Sequence, residues 1–468
     1  MADMEWGYLS IRELGDALRR NETTPIKLTE YFLDRLETIG PRYNAVVTVT
    51  RERALQEAQR AEREFVEGTD RGPLHGIPYG LKDLVATKKI PTTWGAEPYR
   101  EQTFEYDATV VDRLGEAGAV LVAKLSMVEL AGGLGYNHAD AAFNGPGLNP
   151  WNERFWSGGS SSGPGSALAA RLVPFAIGSE TSGSILTPAA FCGVTGLRPT
   201  YGRVSRHGAM ALCWTLDKLG PMTRSADDCG LVLAAIAGRD PRDATSLDRP
   251  FAYRDETRLS VRPRLAVAKG SFDDAQPEVR DNFLDSLEVL SRFCDITRNV
   301  EWPDFPWGPA VGTIVNAEGA AAFVDLIEGG GLARLRCPRE HHAGYAGMLT
   351  YAVDYVQAMR VRTPMRRAVA KLFEGYDAIV APTRASVAYP ADVEFSKAYP
   401  DVRGGPALIP GGNLCGLPAL CAPNGFGENG LPTSIQWMGA PNSEELLVAI
   451  GNEFQSLTGW HTRRPAGV

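Results

Sequence analysis

Two turns rich in glycine and serine carry the residues of this chain that are best suited to chemistry. The first spans residues 157–166 (SGGSSSGPGS) and the second spans residues 178–188 (GSETSGSILTP), with apolar segments between and around them. Glycine tolerates positive φ angles and lets a substrate approach the backbone closely. Successive backbone N–H groups in such turns form a concave site for an oxyanion. The pattern therefore predicts that amides and hydroxyls converge on one point.

Other interpretations of these turns require features that the sequence does not supply. Residues 159–163 match the G-x-S-x-G elbow, but that motif needs a preceding strand and a histidine base. Residues 152–157 (NERFWS) are mostly polar, and none of the six histidines lies in a supporting pattern. A phosphate loop would need GxxxxGK[ST], which the chain lacks. Composition alone would also allow a flexible linker, but the apolar flanks argue against it.

Composition narrows the function classes. The formal net charge is 48 − 56 = −8, which argues against nucleic acid and anionic membranes as partners, because both need a cationic face. The seven cysteines have no CxxC spacing and no metal motif is present, so we expect buried thiols, no metal and no cofactor. Without a signal-peptide pattern or a long apolar run, a cytoplasmic location is expected.

The surrounding elements predict an α/β fold. The first 70 residues have helical patterns, with a capping box at Ser10 and Glu13 and an N-terminal proline at Pro25. From Leu74 to about Met222, short apolar strands alternate with Gly-rich turns and short helices, which favours a mixed sheet. We expect a single domain with four parts: N-terminal helices (1–70), a catalytic core (71–225), a helical elaboration lining the substrate entrance (230–370), and a C-terminal sheet and helix (371–468).

Three segments in order resemble the signature of the amidase signature family. They are GIPYGLKD (76–83), GGSSSGPGS (158–166) and GSETSGSILTPAAFCGVTGLRPT (178–200). The resemblance implies a mixed, mostly parallel central sheet covered by helices on both faces. It also implies a catalytic Lys82, a bridging Ser160 that follows a cis peptide bond, and a nucleophilic Ser184. The chain departs from the family pattern at Glu180, Ser182, Leu186 and Thr187, of which Leu186 stands where the family has an arginine.

The implied chemistry needs a neutral lysine. Serine is a poor nucleophile without an adjacent base, and burial in apolar surroundings lowers a lysine pKa. Lys82 has apolar neighbours, compatible with burial. In the expected relay, Lys82 takes a proton from Ser160, which takes one from Ser184. The oxyanion then rests on backbone N–H groups of the residues Thr181, Ser182, Gly183 and Ser184.

The sequence predicts the substrate less precisely than it predicts the catalytic residues. We expect the substrates to be small, largely uncharged amides or anilides, and carbamates could be cleaved by the same attack. We expect the protein to be a monomer or homodimer that binds no other partner. The predicted substrate-binding residues form a loop beside the nucleophile and a nearby wall: Gly132, Gly133, Leu134, Gly135, Tyr136, Trp214 and Arg362. Tyr345, Met348 and Tyr351 are further candidates for an apolar wall.

Two alternative functions remain open at this point. One is the glutaminase subunit of a tRNA-dependent amidotransferase, which the chain also resembles and whose glutamine-binding arginine corresponds to Arg362. Against it, the interval 403–413 contains no Asp or Glu to pair with an amino-acid ammonium. The other is a catalytically inactive binding homologue, which the presence of all three reacting side chains disfavours.

Overall fold

The computed structural model describes residues 5–253, 259–405 and 408–468. Residues 1–4, part of the segment considered for a signal peptide, and residues 406–407 of the acid-free interval lie outside the described residues. The described strands are β1 Val46–Val49, β2 Pro78–Lys82, β3 Val120–Leu125, β4 Leu148–Asn149, β5 Asn152–Trp156, β6 Phe175–Glu180, β7 Thr195–Arg198, β8 Lys218–Thr223, β9 Arg264–Ala268, β10 Asp295–Val300, β11 Ala378–Pro382, β12 Ala419–Phe426 and β13 Pro432–Gly439.

Helices precede, separate and follow these strands. They are α1 Ile11–Arg19, α2 Pro25–Thr38, α3 Arg51–Val66, α4 Thr109–Glu116, α5 Ser162–Ala169, α6 Leu186–Cys192, α7 Ala226–Ile236, α8 Pro277–Leu290, α9 Trp307–Ala322, α10 Val324–Glu328, α11 Glu340–Met348, α12 Ala352–Gly375, α13 Phe395–Ala398, α14 Leu408–Cys415 and α15 Glu444–Thr458. The capping box that the sequence predicts at Ser10 and Glu13 is present, and Pro25 occupies the first turn of α2.

One large mixed sheet organises the described chain, in the order β1-β3-β2-β6-β8-β7-β12-β13-β11-β9-β10. Parallel pairs form two blocks, β3-β2-β6 and β11-β9-β10, and antiparallel pairs join them. The α/β class with a mixed central sheet is confirmed, although antiparallel pairs occupy more of its centre than the sequence predicts.

Both faces of the central strands are covered. Every residue of β2, β3, β6 and β8 is buried. Because successive side chains of a strand point to opposite faces, this pattern requires protein on each side of the sheet. The predicted helical cover is therefore confirmed, whereas the division into four parts stays a prediction.

The structure differs from the sequence prediction around the first serine turn. Helix α5 begins inside that turn, at Ser162, because Pro164 falls in the first turn of the helix, where no N–H is needed. The polar residues before the turn form a strand, β5, which pairs with β4 in a separate two-stranded ribbon. A two-stranded ribbon at an edge tolerates polar side chains, so the composition of residues 152–156 does not indicate a strand.

Gly163 fixes the distance between α5 and the end of β3. Its N–H donates to Ser126 O over 2.9 Å, and a Cβ built on it would lie 2.3 Å from Ser126 N and 2.6 Å from Ala45 O. These neighbours are backbone atoms, which cannot rotate away. Only glycine therefore fits here without moving the turn that carries Ser160.

We expect Gly163→Ala to lower the free energy of unfolding by about 1–3 kcal/mol, as overpacked sites do, measured by urea denaturation. The matched control is Gly115→Ala in α4, where an added Cβ has nothing within 4 Å. That change should be neutral or stabilise the protein by about 0.5–1 kcal/mol. Equal stability of the two variants would contradict the close approach of α5 to β3.

Candidate active site

Lys82 lies at the C-terminal end of β2, where its side chain is fully buried. Its Nζ donates to Ser160 Oγ over 2.7 Å and to Ser179 Oγ over 2.8 Å. Because β2 and β6 are parallel, the ends that carry Lys82 and Ser179 meet at the same edge of the sheet. Two neutral hydroxyls, and no carboxylate, are thus the hydrogen-bond partners of this amine among the described residues.

Burial sets the protonation state of this amine. Loss of hydration lowers the pKa of Lys82 to about 7, although the charges of Asp217 and Glu180 act in the opposite direction. At neutral pH a large fraction of Lys82 is therefore uncharged and able to accept a proton.

Ser160 follows a cis peptide bond from Gly159, as the family resemblance implies. Its carbonyl accepts from Val128 N over 3.1 Å, which ties the turn to the segment after β3. The next residue, Ser161, exchanges 3.3 Å hydrogen bonds with the backbone of Ser179. The first serine turn is thereby fixed against the end of β6.

Ser184 lies in the second turn, between β6 and α6. It is 9% exposed, whereas Lys82 and Ser160 are 0% exposed, so it is the most accessible of the three. The Ser184 carbonyl accepts from Ser161 N over 3.3 Å, which brings the two turns together. No hydrogen bond joins the Ser160 and Ser184 hydroxyls in the described chain; such contacts often tighten only when substrate binds.

The backbone of the second turn presents a row of donors. Gly183 has a φ of +96°, and in the described residues none of the N–H groups of 181–184 donates to a protein acceptor. Unpaired amides beside a nucleophile are what an oxyanion hole requires. Their use by an oxyanion stays a prediction.

Glu180 anchors the start of this turn. Its buried carboxylate accepts from Ile185 N and Leu186 N over 2.9 and 3.0 Å, and from Arg198 and Asn413 over 3.0 and 2.8 Å. Burial alone would raise the pKa of Glu180, but Arg198, Asn413 and the helix amide together hold it below its usual value. The carboxylate thus stays charged and joins α6, β7 and α14.

Asp217 fixes the other side of the turn. It accepts from Thr181 Oγ1 over 2.6 Å and from the amides of Leu212 and Cys213 over 2.9 and 2.8 Å. The sequence does not predict the role of Asp217. It also does not predict that Lys82 contacts Ser179 or that Glu180 contacts Asn413. The only signal is that Ser179 lies inside the third of the motifs that resemble the family.

The predicted loop at 132–136 lies beside Ser160. A Cβ built on Gly159 would lie 3.0 Å from the Tyr136 hydroxyl, and one built on Gly132 would lie 2.4 Å from the Tyr136 ring. Gly132, with a φ of +79°, therefore leaves room for the ring. Gly133 packs towards Leu212 and Phe323, Leu134 is buried, and Gly135 faces Arg339.

Arg362 and Trp214 are placed differently. Arg362 donates to the backbone carbonyls of Leu414 and Thr215 over 2.6 and 2.9 Å, and burial lowers its pKa. Trp214 is 46% exposed in a groove of about 440 Å³ that also reaches Thr181 and Asp217. Their binding of substrate stays a prediction.

The three further residues predicted for an apolar wall are exposed, and their contact with a substrate stays a prediction. Tyr345, Met348 and Tyr351 are 48%, 43% and 74% exposed. They lie at the end of α11 and in the connection to α12, where apolar spacing alone does not show which face meets the core. Within the described ranges, no cluster of His, Cys, Asp and Glu suits a metal ion and no helix is long and apolar enough to cross a membrane.

Comparison with known proteins decides the family. The model of the family described as Amidase matches residues 27–448. The chain belongs to the amidase family. As a member, this amidase is a hydrolase of amide C–N bonds, and the resemblance carried by the three motifs is confirmed.

Relatives and solved structures of this amidase align over nearly its whole length. The A-type subunit of Glutamyl-tRNA(Gln) amidotransferase from Roseiflexus sp. (strain RS-1) is 37% identical, covering 98% of each chain. The peptide amidase of Stenotrophomonas maltophilia is 28% identical with a TM-score of 0.86, covering 98% and 99% of the two chains. A chain of a vestigial protein complex related to the origins of an s-triazine catabolic enzyme is 28% identical with a TM-score of 0.88, covering 96% and 98%.

These relatives correct one expectation. The sequence predicts a small-molecule substrate as the only partner, no nucleic acid, and a monomer or homodimer. Several similar proteins are instead named as one subunit of an amidotransferase for Glu-tRNA(Gln). Net charge is a property of the whole chain, so the value of −8 could not exclude such an assembly.

The pH dependence of this amidase tests the role of Lys82. Because only the neutral amine accepts a proton, kcat should rise with pH and level off above the Lys82 pKa of about 7. Burial also lowers the pKa of Lys218 to about 7, so Lys218→Met is the control. A rising limb that disappears in the control would show that Lys218, and not Lys82, produces it.

A second test concerns the anchor of the turn. Glu180→Gln leaves the buried Arg198 guanidinium without its counter-charge, which should lower the free energy of unfolding by about 3 kcal/mol and reduce kcat. Glu180→Asp keeps the charge and should lose less of both. Urea denaturation and initial rates measure the two effects, and wild-type stability in the Gln variant would refute the anchoring role.

Proposed function

We propose that the chain hydrolyses a carboxamide through a covalent acyl-enzyme on Ser184. The observation that carries the proposal is the buried Lys82 amine, 2.7 Å from Ser160 Oγ, beside a turn whose amides have no acceptor in the described chain. A lysine held near neutrality serves as a general base, and positioned amides stabilise the charge of the tetrahedral intermediate.

In the proposed reaction, Ser184 Oγ attacks the carbonyl carbon while its proton passes through Ser160 to Lys82. The carbonyl oxygen becomes an oxyanion that the N–H groups of 181–184 bind. Ser160 then gives a proton to the nitrogen, the C–N bond breaks, and ammonia or an amine leaves. Water attacks the acyl-enzyme with the same relay as base, which releases the carboxylic acid and restores the Ser184 hydroxyl.

The relatives favour glutamine as the amide, with the chain acting as the glutaminase subunit of a tRNA-dependent amidotransferase. The support is 37% identity to the Roseiflexus amidotransferase subunit over 98% of its length and the presence of Arg362 in a matching Val-Arg-Thr segment. In this role the ammonia would pass to a partner subunit rather than to solvent.

A second candidate is hydrolysis of an amide other than glutamine. One observation favours it: the described part of the interval 403–413 offers no carboxylate to an amino-acid ammonium. In addition, Arg362 already donates to two backbone carbonyls. Ammonia release from glutamine by the chain alone would favour the first candidate, and release only from other amides would favour the second.

The covalent step gives the direct test. Ser184→Ala should lower kcat for any amide that the wild type hydrolyses by about 10⁴-fold or more, as removal of a nucleophile does. A fluorophosphonate should add to Ser184 in the wild type, seen by mass spectrometry. Ser456→Ala, on the exposed side of α15, is the matched control and should keep wild-type rates. Labelling elsewhere, or none, would contradict the proposal.

A further inference from the structure

A cavity of about 400 Å³ lies beyond the nucleophile turn, between the end of β11 and the first turn of α14. Two arginines and several hydroxyl side chains contribute to its wall. The wall includes Thr383, Arg384, Tyr389, Phe395, Arg403 and Ile409.

Two contacts place this cavity next to the catalytic groups. A Cβ built on Gly183 would lie 3.2 Å from Ile409 Cγ2, so this wall touches the nucleophile turn. On the other side, the Phe395 ring packs edge-on against Tyr136, with centroids 5.8 Å apart. Because Tyr136 lies beside Gly159, the cavity borders both serine turns.

The charged side chains that line the cavity are both arginines. Arg384 Nη2 donates to the Tyr389 hydroxyl over 2.8 Å, and no protein acceptor binds its Nη1 in the described chain. Arg403 lies at the exposed rim, and neither guanidinium forms an ion pair in the described chain. No Asp or Glu is among the described lining residues. The carboxylate of Glu394 is nearby in sequence, but Lys397 binds it at 2.9 Å.

We propose that this cavity is an anion subsite in which Arg384 binds a carboxylate carried by the amide substrate. A planar guanidinium with a free N–H presents a directional, charge-assisted donor to such a group. The inference rests on the proposed amide hydrolysis and replaces the uncharged substrate that the sequence predicts. The substrate class is then an amide with an acidic substituent.

An ammonium group next to that carboxylate would be disfavoured. It would approach two guanidinium groups with no carboxylate on the described wall to balance it. Glutaramate, which is glutamine without its α-amino group, should therefore be a better substrate than glutamine. Faster hydrolysis of glutamine would overturn this part of the inference and favour the glutaminase role.

The test compares amides that differ only in charge. Glutaramate and pentanamide place the carboxylate or a methyl group on the acyl side, and N-butanoylglycine and N-ethylbutanamide place it on the amine side. In at least one pair, the charged member should have a higher kcat/KM. Arg384→Met should lower that value by about 10- to 100-fold, the worth of one charged hydrogen bond, and change the neutral member by less than about threefold.

Two further variants guard against a general loss of structure. Arg384→Lys keeps the charge but not the planar fork, so it should retain part of the preference. Arg298→Met, on the exposed edge strand β10, removes an arginine outside the cavity and should leave both members of each pair unchanged. Equal losses for charged and neutral amides in Arg384→Met, or no preference in the wild type, would overturn the anion subsite.

A binding measurement separates this inference from the proposed function. Glutarate and N-butanoylglycine should bind to the Ser184→Ala variant in calorimetry, and about 10- to 100-fold more weakly when Arg384→Met is added. If the wild type hydrolysed none of the amides but this difference were present, the proposed reaction would fail and the anion subsite would stand. Absence of binding to both variants would refute the subsite.

Discussion

The site depends on keeping one amine out of water without giving it a counter-ion. Lys82 is fully buried and donates only to the hydroxyls of Ser160 and Ser179 in the described chain. A carboxylate in direct contact would favour the ammonium and remove the base. Lys124 shows the contrast, because it is equally buried but pairs with Asp83 at 3.0 Å. The two buried lysines thus differ in the chemistry of the oxygen that each contacts.

The carboxylates around Lys82 are therefore held by other partners. Glu180 uses its oxygens to bind two helix amides, Arg198 and Asn413, and Asp217 uses its own to bind Thr181 and two amides. Each of these bonds also shapes the turn that carries Ser184. The contacts that keep these carboxylates from pairing with the amine thus also hold the backbone N–H groups of the turn in place.

Sequence patterns predict much of this arrangement. The three motifs indicate Lys82, Ser160 and Ser184, and the structure places the first two in contact and the third in the adjoining turn. Capping residues predict α1 and α2, because their signal is local. The roles of Ser179 and Asn413 do not follow from the sequence, since their partners are distant along the chain or depend on strand register. The exposure of Trp214 and of the residues near α11 does not follow either, because an apolar residue type does not say which side of an element is covered.

The groups around Ser184 come from both halves of the chain. Lys82, on β2, and Ser160 and Ser184, in the two serine turns, all precede residue 223. Arg384 and Ile409 of the neighbouring cavity come from the second half of the sequence. If Arg384 binds the substrate as proposed, it can be substituted without changing the packing around Lys82. New substrates can then arise through changes in the second half of the chain that leave the proposed reacting groups in place.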